Sequence, residues 1–439
     1  MNRLILISPK KGEALNQFFL VKAEIYPPHW AGDKSQYLTG THVLTFSFGG
    51  SPRIKTSLLG GDLFDPPSAP PRRGVTEMNK QKLMTELQSQ GLQIIEVGTG
   101  VSGRKGGAGP SDHKAVTIDG TTIMVPIYTE TAAQSPYTAT LDPASTQATI
   151  SIEGREIIPI EFPKTPEFYN LTTADGIPYW KIALLHSHDV LATTVLQTCV
   201  RYRNSDTVCQ FCAIEQSLQA GRTIARKTPA QLAEVAAAAV RLDGVKHMVM
   251  TSGTPNTSDR GAAYLAECAV AIKQRVDLPI QAQCEPPDDF GWFQQLKDAG
   301  VDSLGMHLEA ITPGVRAKIM PGKADVPVEY YFQAFTAAVE VFGRGQVSTY
   351  LLAGLGDTIA ALVAGCDRLI QIGVYPFVVP FVPITGTPLA HHPAPSSEMM
   401  FALYQQVGAL LKRSGMSAKD IKAGCGKCGA CSALSSFEV

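Results

Sequence analysis

No stretch of this 439-residue chain approaches the roughly 18 consecutive apolar residues that a membrane-spanning helix needs, so no membrane span is expected. It also lacks a dominant charge. Its 38 basic and 39 acidic side chains leave a net charge of −1, a balance that implies neither nucleic acid nor a membrane surface as a partner. The opening Met1–Pro9 has too short an apolar run for a signal peptide. Cysteines number nine, an odd count, and no secretory context supports a disulfide framework. The expectation is reduced thiols in the cytoplasm, available to metal. Hydrophobic residues at 44% and charged residues at 18% describe an ordinary globular chain with room for two or three domains.

Six of the nine cysteines fall into two tight groups. Cys199, Cys209 and Cys212 form the first, and Cys425, Cys428 and Cys431 the second, near the chain end. Cys268, Cys284 and Cys366 stand alone among apolar neighbours and read as core. Soft thiolates suit an iron–sulfur cluster or zinc. Three thiolates leave one iron of a 4Fe–4S cluster open to a small molecule. A structural zinc site would want a fourth ligand, for which His186 and His188 lie upstream.

Residues 1–77 hold loop-forming runs such as Pro66–Gly74 with little periodicity, and read as an extension outside the native fold. Residues 78–190 read as an α+β domain, with a hairpin across Asp119-Gly120 and another between Ala148 and Ile160. From 191 to 395 strands and helices alternate. Strands are expected near Val195–Thr198 and at His247–Thr251, Pro279–Glu285, Ser303–Glu309, Gln346–Leu352 and Tyr375–Val382. The helix from Pro229 has a start signal in Thr228, Pro229 and Gln231. Six such units predict an α/β fold, a partial (β/α)6 TIM-like barrel. Residues 396–439 form a last helix and the cysteine-rich tail. Alternation puts Gln281, Gln283 and Glu285 on one strand face, and Gly305, His307 and Glu309 on one face of the next. A packed barrel interior is normally bulky and branched, so these polar faces suggest a lumen lined for a ligand. Pro376, Pro380 and Pro383 confine the sixth strand to a sheet edge, as an open barrel allows.

The cysteine motif resembles that of the radical S-adenosylmethionine (SAM) superfamily. Cys209-Gln210-Phe211-Cys212 matches the second half of the signature, aromatic included, whereas nine residues separate Cys199 from Cys209 in place of the usual three. The resemblance extends over 195–390, in a branch like lipoyl and biotin synthase. It implies SAM contacts at Phe211, at Ser252, Gly253 and Thr254 after the second strand, and at Glu309, Arg316 and Gly354. The runs Arg104–His113, Gln283–Asp289 and Gly426–Ser432 are similar to hallmarks of a radical SAM family encoded in nitrilase-type gene clusters, a resemblance that carries no substrate. The resemblance implies an enzyme that cleaves SAM reductively at a 4Fe–4S cluster and abstracts hydrogen from a small molecule, with flavodoxin or ferredoxin as electron donor. The tail triad reads as a second iron–sulfur cluster, with structural zinc or free thiols as alternatives. Substrate contacts are expected from Gln281, Gln283, Glu285 and His307, and from Arg104 and Lys105 in a glycine-rich loop that reads equally well as a plain turn. Glu309 also reads as a buried structural carboxylate, Arg316 as a solvated helix-start residue and His307 as a core histidine. The rival functions are a sulfur-inserting synthase and a zinc-stabilised, non-enzymatic barrel.

Overall fold

The computed structural model of the chain describes residues 77–96, 112–141 and 145–438. Nearly all of the extension read at 1–77, and the loop carrying Arg104 and Lys105, lie outside the described residues. A helix at Glu77–Gln90 precedes six strands, β1 (Gln93–Glu96), β2 (His113–Ile118), β3 (Thr121–Pro126), β4 (Tyr137–Leu141), β5 (Gln147–Ile152) and β6 (Arg155–Glu161). They form one sheet in the order β1-β4-β5-β6-β2-β3. The β2–β3 turn has φ of 45° at Asp119 and 75° at Gly120, the left-handed pair that a two-residue hairpin requires. The hairpin expected between Ala148 and Ile160 is β5–β6.

The second sheet holds β7 (Leu184–His186), β8 (Val190–Thr194), β9 (His247–Thr251), β10 (Ile280–Gln283), β11 (Ser303–Gly305), β12 (Val347–Ala353) and β13 (Val374–Pro380). Their order is β13-β12-β11-β10-β9-β8-β7. β8 to β13 run parallel, and β7 returns antiparallel to β8. The six parallel strands are those expected, with two local differences. The first strand lies earlier, at Val190–Thr194. Beyond it Val195 N–H still donates to Thr251 O (2.8 Å), while Val195–Gln197 also pair with 225–227, through Gln197 N–H to Ala225 O (2.8 Å) and Lys227 N–H to Val195 O (3.0 Å). The fourth strand is short because, past Gly305, the chain runs alongside β12 until Glu309 turns it at φ 65°. β13 has only β12 as a neighbour, so its prolines leave no ladder bond unmade. β8 begins at Val190, and residues 77–438 fall within one compact unit.

The helices Pro229–Asp243, Ala262–Arg275, Gly291–Asp298, Val328–Phe342 and Ile359–Gln371 lie between successive strands. The first is closed by a capping box. The Thr228 hydroxyl accepts from Gln231 N–H at 3.2 Å, and the Gln231 side chain accepts from Thr228 N–H at 2.9 Å. Outward strand residues such as Met248, Met250, Ile280 and Leu304 are fully buried in one hydrophobic cluster with helix residues such as Leu265, Phe293, Phe335 and Leu362. Each contributes roughly 1.5–3 kcal/mol of transfer free energy.

The tail crosses the strands' N-terminal ends. Lys422 N–H donates to Gln346 Oε1 (2.9 Å), Ala423 N–H to Ser303 Oγ (3.4 Å) and Gly424 N–H to His247 Nδ1 (3.2 Å). A Cβ on Gly424, whose φ is +104°, would stand 2.1 Å from the Gln281 side chain, so only glycine passes there. Beyond it the tail meets the N-terminal sheet, where Met124 N–H donates to Ala430 O at 2.6 Å.

Candidate active site

The segment Cys199–Cys212 lies across the C-terminal end of the barrel and is fastened on several sides. Val200 N–H donates to Thr254 O (2.9 Å), Gln210 N–H to Ile319 O (2.8 Å) and Leu389 N–H to Gln210 O (3.1 Å). The long interval after Cys199 has a use. It carries Arg201, whose Nη2 donates to Glu285 Oε2 at 2.9 Å while the Thr254 hydroxyl donates to Glu285 Oε1 at 2.6 Å. Both oxygens of Glu285 therefore serve the cysteine loop. Burial works against its charge, and Lys323, Arg201 and the Thr254 hydroxyl together hold its carboxyl below the usual range. A Cβ on Gly253 would stand 2.1 Å from Thr198 O, so the turn after β9 presses directly on the approach to Cys199.

Phe211, Cys212, Ser252, Gln283, His307 and Glu309 line one cavity of about 380 Å³, together with Cys425 and Cys431 from the tail. Gln88, His113 and Met124 complete its wall from the N-terminal elements. Gln283 of β10 and His307 and Glu309 of the segment after β11 thus share one lumen. They also form a directed chain. Tyr350 N–H donates to His307 Nδ1 (3.3 Å), which assigns the ring proton to Nε2, 3.0 Å from Gln283 Oε1. Gln283 Nε2 donates to Gln281 Oε1 (2.7 Å) and to Cys425 Sγ (3.2 Å), and Gln281 Nε2 to Ser348 Oγ (3.0 Å). Burial, with the Lys323 charge adding to it, pushes His307 down to about 3, so its imidazole is neutral at physiological pH.

Glu309 pairs with Lys323, Nζ to Oε2 at 2.7 Å, and Lys323 also donates to His307 O at 3.2 Å. Burial opposes the Lys323 charge most strongly, but Glu309, Tyr331, Glu285 and Cys209 together outweigh it and raise the ammonium above its usual value. Arg316 is not at the cavity. It is 1% exposed, its guanidinium donates to the carbonyls of Leu308, Lys323 and Val326, and it stacks 4.9 Å from the Tyr331 ring. Its donors shape the loop that delivers Lys323. Gly354 is likewise outside the wall, its carbonyl accepting from His392 Nε2 at 2.9 Å. Gln281 lies below the wall against the tail, and Thr254 is spent on Glu285. Arg201 and Lys323 escaped the sequence reading. The unusual spacing after Cys199 was the one signal for Arg201, and Lys323 sits in Pro321-Gly322-Lys323 with none.

Burial pushes the Cys212 thiol up to about 12 and the Cys209 thiol well above its ordinary value, the Lys323 charge pulling the latter back. Cys425 is also raised by burial, although Tyr350 and Gln283 hydrogen-bond its sulfur, and Cys428 reaches about 12. These thiols are half-buried by area yet deep in the molecule, and two of them, Cys212 and Cys425, face the cavity. Bare thiolates would be costly there, and a cationic metal core supplies the missing counter-charge. Among the described residues, no three His, Cys, Asp or Glu side chains gather as ligands of a single metal ion. The all-thiol donor set suits an iron–sulfur cluster, which takes its thiolates on separate irons.

Residues 199–367 match the family model of the radical SAM superfamily. The segment that carries the first cysteine triad is thus similar to radical SAM domains. Members of that superfamily are enzymes. The chain is 29% identical over 226 residues to bacteriochlorophyllide c C-7(1)-hydroxylase of Chlorobaculum limnaeum, a match covering 47% of this chain and 56% of that protein. It is 26% identical over 172 residues to lipoyl synthase of Marinobacter nauticus, covering 38% of this chain and 46% of the relative. The chain thus spans about half the length of each. Methylornithine synthase (PylB) aligns structurally with a TM-score of 0.41 at 17% identity, over 55% of this chain and 69% of the other. Among the described residues, no helix is long and apolar enough to cross a membrane.

Proposed function

We propose that this enzyme cleaves SAM reductively at a 4Fe–4S cluster held by Cys199, Cys209 and Cys212, and uses the resulting radical to take hydrogen from a small molecule in the cavity. The carrying observation is that Cys212, Ser252 and Glu309, drawn from three separate loops, face one cavity. When bound, such a cluster supplies an open iron to chelate SAM and an electron to split its sulfonium into methionine and a 5′-deoxyadenosyl radical. The protein's own residues bind, orient and exclude water. Phe211 covers the approach from the cysteine loop, and Glu309, oriented by Lys323, offers a carboxylate to hydroxyl groups of the bound nucleoside. Glu285 fastens the cysteine loop through Arg201 and Thr254 instead of touching substrate. Gln283 and His307 present the polar floor, and the described wall carries no Lys or Arg. An uncharged substrate fits that lining better than an acidic one.

The tail triad Cys425, Cys428 and Cys431 holds a second iron–sulfur cluster in this reading. Flavodoxin or ferredoxin supplies the electron in the cytoplasm, where the nine free thiols stay reduced. A sulfur-inserting reaction is the second reading, favoured by the presence of Cys425 and Cys431 in the same cavity wall as Cys212. The test is anaerobic purification and reconstitution, iron and sulfide counting, and an assay for 5′-deoxyadenosine with dithionite and SAM. About eight irons per chain with deoxyadenosine formed support both clusters. Zinc without product refutes the reading, and loss of tail sulfide during turnover selects sulfur insertion.

A further inference from the structure

The tail triad supplies three sulfur ligands, and the structure shows what stands beside them. His186, the last residue of β7, is 6% exposed, and its Nε2 lies 3.5 Å from Cys431 Sγ. It lines the cavity next to Cys425 and Cys431. The next hairpin turn places Ser187, at φ 58°, against Cys428. One end of the β7–β8 hairpin is therefore wrapped by the tail cysteines. Two other histidines of the barrel are committed elsewhere, His247 Nδ1 to Gly424 N–H and both nitrogens of His307 to Tyr350 and Gln283.

We propose that His186 is the fourth protein ligand of the tail cluster, completing a three-cysteine, one-histidine set. This rests on the tail-cluster reading given above. Imidazole is the ligand the surroundings favour. The described wall of the shared cavity contains no Lys or Arg, so a fourth thiolate there would add a buried negative charge with no cation on that wall to balance it, whereas a neutral imidazole adds none. Histidine in place of cysteine also raises a cluster's reduction potential, as in two-histidine iron–sulfur centres. The tail cluster is then closed by protein ligands, while the cluster of the cysteine loop keeps its open iron.

The experiment uses the full chain with Cys199, Cys209 and Cys212 all changed to alanine, reconstituted anaerobically so that iron reports the tail alone. Pulsed EPR of the reduced protein, grown with ¹⁴N- or ¹⁵N-histidine, reads nitrogen bound to the cluster. The expected result is about four irons per chain and a histidine hyperfine coupling that disappears in His186→Gln. His186→Cys should keep the iron, lose the coupling and lower the midpoint potential, which separates ligation from a folding defect. A coupling that persists in His186→Gln, or none in a triple variant that holds its iron, overturns the inference and leaves the tail cluster standing. A triple variant without iron overturns the tail cluster itself, and the histidine ligand with it.

Discussion

Glu285→Gln tests whether the buried carboxylate fastens the cysteine loop or contacts a ligand. Arg201 and Glu285 are 11% and 6% exposed at their side chains, so water screens the pair poorly. Removing one partner of a buried pair is worth about 3–5 kcal/mol, because the other charge stays behind uncompensated. Gln retains an oxygen able to accept from Arg201 or Thr254, which places the effect near the lower end, about 3 kcal/mol. For a unit of this size that corresponds to a melting temperature lower by roughly 4 °C. The dependence on pH has a definite sign. The folded-state value of Glu285 lies below its ordinary 4.5, so its stabilisation is present in full above that value and fades as pH falls through the folded value. The gap between wild type and Glu285→Gln should be constant from pH 6 to 8 and shrink below about pH 4.5. Iron bound at the cysteine loop should fall along with deoxyadenosine formation. Arg201→Met combined with Glu285→Gln should be less destabilised than the sum of the single variants. Unchanged melting temperature and iron content would refute the fastening role. Lost deoxyadenosine with iron and stability intact would make Glu285 a ligand contact instead.

Cys209→Ala should abolish deoxyadenosine formation, and retained cleavage of SAM would sink the assignment of the barrel cluster. Cys428→Ala should lower iron from about eight to about four per chain; unchanged iron would remove the tail cluster. Gly424→Val puts a branched side chain at φ +104° where Gln281 already stands, so the tail should detach from the barrel floor. Tail iron and protection from proteolysis beyond Lys422 should both be lost, and a variant with wild-type iron would show that the tail needs no such passage.

What the sequence determined by itself is what periodicity and local chemistry carry. Alternating strand and helix patterns predicted six parallel strands, the prolines predicted an edge strand, and Thr228 with Gln231 predicted a helix start. The two-residue period along 279–285 and 303–309 placed Gln283, His307 and Glu309 on inward faces, because strand geometry alone decides which side a residue takes. It does not decide depth along the strand or partner. Gln281, Gln283 and Glu285 share a face, yet one meets the tail, one the cavity and one the cysteine loop. Those partners are 144, 142 and 84 residues distant. Arg316 and Lys323 are seven residues apart on polar-looking chain, and only the folded loop spends the first on carbonyls and brings the second to Glu309. The tail triad was legible from spacing as a candidate metal-binding group. Its entry into the lumen through Gly424, and the approach of Cys431 to His186 across 245 residues, exist only once the sheet has curled and the tail has closed its floor.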